Sequence, residues 1–157
     1  MSKILSLDVS SVSTGWAFLF YGKLQSFGII EIHKTLRLQE KLYWFGNHVN
    51  ALLKTFDPDY VIIEETYLKN VKTLKVLMQF VAVANLECFK VCEIEPLFIS
   101  PQTIRSYYKL KTKEDVFEYV KNKYKVKLKK YTFETGNDIT DAILQALYWN
   151  DVLKEKG

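Results

Sequence analysis

The chain is poor in the residues that usually advertise an active site or a bound metal. In 157 residues it has two cysteines, Cys88 and Cys92, and two histidines, His33 and His48. A structural zinc site needs about four soft or borderline ligands. Here the cysteines lie four apart near the end of an expected helix and the histidines are distant in sequence, so reduced, partly buried thiols are the better account. There is no Gly-rich phosphate loop, no HExxH pair and no Ser-His-Asp signature. Long apolar runs are missing too. The opening stretch Ile4 to Val9 is interrupted by Asp8 and is too short for a membrane span or a signal peptide. A cytoplasmic protein with no membrane partner is expected. Internal repeats, low-complexity tracts and linkers are also lacking, and the length suits one domain spanning residues 1–157.

Net charge is a modest +4, but it is unevenly spread. From Lys109 to Lys130 nine lysines stand against three acids (Glu114, Asp115 and Glu118), a local balance of +6. Such a run is either a solvated surface or a phosphate-contacting face.

The hydrophobic pattern orders the elements. Lys3 to Val9 reads as a strand buried on both faces. Val12–Tyr21 and Leu24–His33 read as two more strands, joined by a hairpin turn at Tyr21-Gly22-Lys23. Thr35 is expected to cap a helix carrying Leu38, Leu42, Phe45, Val49, Leu52 and Leu53, which stops near Phe56 before Asp57-Pro58. A short strand, Tyr60–Ile63, runs into Glu64-Glu65. A helix over Thr73–Phe89 and a strand over Leu97–Ile99 follow. Ser100-Pro101 has the form of a helix entrance. Further helices are expected from Lys113 to Tyr124 and from about Asn137 onward. An antiparallel meander followed by strand–helix alternation implies an α/β fold, a mixed sheet of five strands with helices on both faces.

Three carboxylate positions break this pattern. Asp8 lies inside an apolar strand, where a lone charge is costly unless compensated; a structural aspartate satisfied by turn amides is the plain alternative. Glu64 follows three core residues, although an exposed acid at a strand end would look the same. Asp138 and Asp141 are three apart, hence neighbours on one helical face. Acids near a helix N-terminus complement its dipole, but Asp141 is followed at once by Ala142 and Ile143 and begins to face the core. One explanation covers all three: carboxylates from two strands and a helix can converge on divalent cations. Hard oxygen ligands suit Mg²⁺ or Mn²⁺, and two such ions can drive phosphodiester hydrolysis.

At this point the residues resemble a family. ILSLDVSSVSTGWAF is similar to the first-strand motif of RuvC-type Holliday-junction resolvases, with Asp8 in the metal-binding position and Thr14-Gly15 in register. VIIEETYLKN resembles their second motif and places Glu64 as second ligand. Asn137-Asp138-Ile139-Thr140-Asp141-Ala142 matches their C-terminal pair of carboxylates. ISPQTIRSYYKLKTKEDV resembles the stretch with the family's basic active-site residues, implicating Arg105 and Lys113. Two departures stand out: Val9-Ser10 replaces the Pro-Gly that often follows the first aspartate, and Glu65 sits beside Glu64. A strand slipped by one residue would bring Glu65 to the site instead.

The resemblance implies an RNase H-like fold and an endonuclease that nicks four-way junctions and related branched DNA, leaving 5′-phosphate ends. It implies catalysis by Asp8, Glu64, Asp138 and Asp141 around two Mg²⁺ ions, for which Mn²⁺ can substitute, aided by Arg105 and Lys113. A homodimer is implied, for which the Thr73–Phe89 helix is the candidate interface. Tyr67 occupies the place of a branch-point aromatic, and DNA contacts are expected from Tyr67, Lys69, Arg105, Lys109, Lys111, Lys113, Lys125, Lys127 and Lys129. A chain this short is more typical of phage-encoded members, which leaves any branch-migration motor open. Two rival readings stand beside this one: an RNase H-like nuclease for structured RNA, similar to the YqgF group, and a branched-nucleic-acid binding module that does not cleave.

Overall fold

The computed structural model describes residues 2–65 and 70–156. Strands β1 (Lys3–Asp8), β2 (Ser13–Phe20) and β3 (Lys23–Glu31) form an antiparallel meander. The turn between β2 and β3 places Tyr21 at φ 50° and Gly22 at φ 82°. Two successive positive φ angles define the type I′ turn whose twist matches the flanking strands. Strands β4 (Tyr60–Glu64) and β5 (Leu97–Ile99) then add in parallel, giving the order β3-β2-β1-β4-β5. This is the mixed five-stranded sheet that the strand order implied.

Alternation along the strands sorts side chains into two cores. On one face Leu5, Leu7, Phe18, Val61 and Ile63 meet Phe45, Val49 and Leu53 of α1 (Leu38–Phe56) and Leu77, Phe80 and Ala84 of α2 (Val71–Cys92). On the other, Ile4, Ala17, Leu19 and Ile62 meet α3 (Pro101–Tyr107), α4 (Lys113–Lys123) and α5 (Phe133–Lys156) through Ile104, Val116, Val120, Ile139, Ile143 and Leu147. Cys88 is buried in the first core and Cys92 packs at its margin; both are free thiols. Burial pushes the Cys88 thiol up to about 12, so it is inert as a nucleophile near neutral pH. Among the described residues no helix is long and apolar enough to cross a membrane.

The entrance to α3 is as expected: Ser100 Oγ accepts from the Thr103 N–H at 3.2 Å, with Pro101 at the first helical position. Two other entrances differ from the sequence expectation. Thr35 does not cap α1. Its hydroxyl lies 2.8 Å from His33 Nδ1 in a turn closed by the Leu36 N–H on the His33 carbonyl, and the cap position falls to Arg37, whose backbone N–H donates to Glu40 Oε1 at 3.2 Å. The last helix starts one turn before Asn137, at Phe133. Gly136 weakens a helix by propensity, but a Cβ there would stand 2.8 Å from Tyr131 Cβ and 3.2 Å from the Phe117 ring, so packing demands glycine. In consequence Asp138 lies in the second turn rather than at the helix tip.

Candidate active site

Register decides which acids share a face. In β1, Ile4 belongs to the α5-side core and Ser6 Oγ reaches Gln145 of α5 at 3.4 Å, so Asp8, two residues further, faces α5. In β4, Ile62 faces the same core while Val61 and Ile63 face the other, so Glu64 also faces α5. Leu7 pairs with Ile63 across the parallel ladder, which sets Asp8 beside Glu64 at the C-terminal ends of both strands. Their carboxyl groups share a hydrogen bond. Glu65 lies one residue on, off this alternation, and its backbone N–H donates to the Ile99 carbonyl at 2.9 Å.

Helix α5 supplies the other two acids. Its backbone passes so near β2 that a Cβ on Gly15 would fall 2.1 Å from the Asp138 carbonyl oxygen. Only glycine permits this approach. Lys113, the first residue of α4, places its Nζ 3.1 Å from Asp141 Oδ2 and 3.5 Å from Asp138 Oδ1. Thr112 holds that helix entrance by accepting from the Asp115 N–H at 3.0 Å. The Asp141 side chain is 11% exposed and that of Asp138 31%, so Asp141 is the more inward of the pair. Arg105, on α3, lines one cleft with Glu64, Asp141 and Gln145.

The electrostatics are those of a carboxylate surplus. Burial, the hydrogen bond to Glu64 and the charges of Glu64, Asp141 and Asp138 all push Asp8 well above the usual carboxylate range. Burial pushes Asp141 up to about 6, aided by Glu64 and opposed by Lys113 and Arg105. Lys113 is pulled down by burial, yet the charges of Asp141, Asp8 and Asp138 outweigh that and hold it above the ordinary lysine value. Ser13 was not singled out from sequence. Its Oγ donates to Asp138 Oδ2 at 3.1 Å.

A family model for the crossover junction endodeoxyribonuclease RuvC matches residues 4–147. The chain belongs to the RuvC family. It is a crossover junction endodeoxyribonuclease by that membership. Solved structures agree in fold at low identity. The chain is similar to Thermus thermophilus RuvC in complex with Holliday junction substrate, with a TM-score of 0.81, 14% identity and coverage of 99% of this chain and 96% of that one. It also resembles the yeast mitochondrial Holliday junction resolvase Ydc2 (0.67, 15% identity, 97% and 80% covered). A third likeness is to the fowlpox virus resolvase in complex with Holliday junction DNA (0.56, 18% identity, 96% and 98% covered). None of the curated proteins compared by sequence matches the chain.

RuvC-like nucleases depend on divalent metal, and the residues present fit such a cation chemically. The donors are hard carboxylate oxygens, and the raised Asp8 and Asp141 mark a site that a divalent cation would relieve. Among the described residues no three His, Cys, Asp or Glu side chains form a closed ligand set, and the positive charge between Asp138 and Asp141 is that of Lys113. Of the basic residues expected to contact DNA, Arg105 and Lys113 are therefore at the carboxylates, and Lys109 and Lys111 lie in the loop between them. Lys125, Lys127 and Lys129 are not. Lys127 Nζ donates to the carbonyl of Leu24, which pairs with Leu19 near the opposite end of the sheet, and Leu128 beside it is buried in the core. Tyr67 and Lys69 fall outside the described residues.

The register separates the paired glutamates. Glu64→Gln is expected to cost orders of magnitude in junction cleavage, and Glu65→Gln far less, when single-turnover rates are compared on one synthetic four-way junction. Equal losses would mean that the side of the sheet is not what distinguishes them.

Proposed function

We propose that Asp8, Glu64, Asp138 and Asp141 form the divalent-cation site of a nuclease that nicks four-way junctions and related branched DNA, leaving 5′-phosphate and 3′-hydroxyl ends. The observation that carries this is the convergence of four acids from β1, β4 and α5 on one side of the sheet, where Asp8 and Glu64 share a hydrogen bond and Lys113 bridges the other two. Bound Mg²⁺ or Mn²⁺, as a pair, would supply an activated water and neutralise charge at the scissile phosphate. The protein's own part is preorganisation. Asp8, with carboxylates on either side of it, is the central ligand; Glu64, Asp138 and Asp141 complete the set. Arg105 in the cleft wall and Lys113 beside Asp138 and Asp141 offset negative charge as it develops on the phosphate. Asp8→Asn is expected to abolish cleavage while leaving junction binding equal or tighter, since a negative charge near phosphate has been removed. Substantial cleavage by the purified variant would sink the assignment; the same gel shows whether RNA junctions compete as substrates.

The lysines fall into two groups along the DNA. Lys109 and Lys111 lie in the loop that leads into Lys113 at the start of α4, whereas Lys125 and Lys129 lie beyond the far end of α4, with Lys127 already bonded to Leu24. Phosphate contacts release counterions and carry no sequence information, so both groups give affinity without sequence preference. Replacing Lys109 and Lys111 by Gln is expected to flatten the log–log salt dependence of junction binding by about one to two units. The same pair of changes at Lys125 and Lys129 tests the far group, measured in Ca²⁺ at several salt concentrations. An unchanged slope there would confine DNA to the side of the loop before α4.

A four-way junction is nearly two-fold symmetric, and an isologous dimer presents two sites with the same symmetry. Helix α2 offers the surface: Val71, Met78, Leu86 and Phe89 form an exposed apolar stripe, between 49% and 65% exposed. We assign it to a second copy of the chain. Sedimentation should show a dimer that Leu86→Glu dissociates, and a monomeric wild-type chain at micromolar concentration would overturn the assignment.

A further inference from the structure

We infer that Ser13 is a positioning residue for Asp138: it fixes which carboxylate oxygen that aspartate presents to the metal. This rests on the reading of Asp138 as a ligand and goes beyond it. Ser13 begins β2, and alternation with Ala17 and Leu19 puts it on the α5 side. Two residues later Gly15 brings the α5 backbone into contact at Asp138 itself. Strand and helix are thus locked together at this point by partners 125 positions apart in the chain.

The loop before Ser13 is held as firmly. Ser10 Oγ accepts from the Val12 N–H at 3.1 Å and the Ser13 N–H at 3.4 Å, and Thr14 Oγ1 accepts from the Ser10 N–H at 3.2 Å. Pro-Gly is absent from this turn, and these hydroxyl bonds do the shaping. From that platform Ser13 gives its single O–H to Asp138 Oδ2 at 3.1 Å. The other oxygen, Oδ1, is the one turned toward Lys113 and, through it, Asp141. With Oδ2 committed to β2, Asp138 offers Oδ1 alone to the shared site. Without the hydroxyl, the carboxylate is free to rotate about its terminal torsion, which has broad wells.

The experiment compares wild type, Ser13→Ala, Ser13→Thr and Asp138→Asn, using Mn²⁺ as the probe. Mn²⁺ binding to the DNA-free protein is followed by calorimetry, and the Mn²⁺ concentration for half-maximal junction cleavage is measured separately. Loss of an outer hydrogen bond to a ligand typically costs about 10-fold or more in metal affinity. Ser13→Ala should therefore weaken Mn²⁺ binding and raise the half-maximal concentration by about that factor, while the rate at saturating Mn²⁺ stays within about three-fold. Ser13→Thr keeps the hydroxyl and should restore both. A Ser13→Ala protein that binds Mn²⁺ like wild type, while Asp138→Asn does not, overturns this inference alone. Wild-type Mn²⁺ affinity in Asp138→Asn overturns the ligand assignment beneath it. A fall in the saturated rate with unchanged Mn²⁺ affinity in Ser13→Ala also counts against a positioning role.

Discussion

The close approach of α5 to the sheet is the constraint on which the site depends. A missing side chain at Gly15 lets the helix backbone rest on β2 at the level of Asp138. From there the helical spacing carries Asp141 one turn on, toward the C-terminal ends of β1 and β4. Were α5 set back by the width of a methyl group, the two halves of the carboxylate set would part. The same contact lets Ile139, Ala142, Ile143 and Ala146 fill the core on that face, so tight packing and the assembly of acids are one event.

Burying several carboxylates together is unfavourable by itself, and the structure shows how the cost is distributed. Asp8 retains its proton more readily than an ordinary aspartate and shares a hydrogen bond with Glu64. Asp138 and Asp141 divide the Lys113 ammonium, and Arg105 acts on Asp141 from the cleft wall. Fixed cations of the protein thus already offset part of the negative charge gathered in one place. The layer on the opposite face is separate from these acids: its own buried carboxylate is Glu87 of α2, which accepts from Asn50 Nδ2 at 2.9 Å and pairs with Lys90 Nζ at 3.1 Å.

Much of this arrangement was legible in the sequence because strand alternation is local. Once Leu7 and Ile63 are paired on one face, as the β1–β4 register has them, alternation puts Asp8 and Glu64 together on the other. The turn at Tyr21-Gly22 and the cap at Ser100 are likewise set by residues within reach of each other. What escaped was set by contacts distant in sequence. Thr35 looked like a cap, but its hydroxyl went to His33. Gly136 looked like a loop residue before α5, and only the rings of Tyr131 and Phe117 explain it inside the helix. Lys127 read as a phosphate contact in a basic run, yet its ammonium closes the end of the hairpin at Leu24. Ser13 carries no signal in a chain rich in hydroxyls until Asp138, at the other end of the sequence, is placed against it.

Since two of the four acids reside on the last helix, the order of synthesis has a bearing on when the chemistry can exist. A ribosome-bound chain can in principle complete the β1–β3 meander and the α1–α2 layer while residues beyond 130 are still unmade. At that stage Asp8 and Glu64 sit at the edge of an uncovered apolar sheet face, with no partner carboxylates. On the proposed assignment of the acids, phosphodiester cleavage would then be withheld until the final segment has emerged and docked. A nascent or prematurely ended chain would lack the core on that face as well as the acids, and would be a substrate for proteases rather than a stray nuclease.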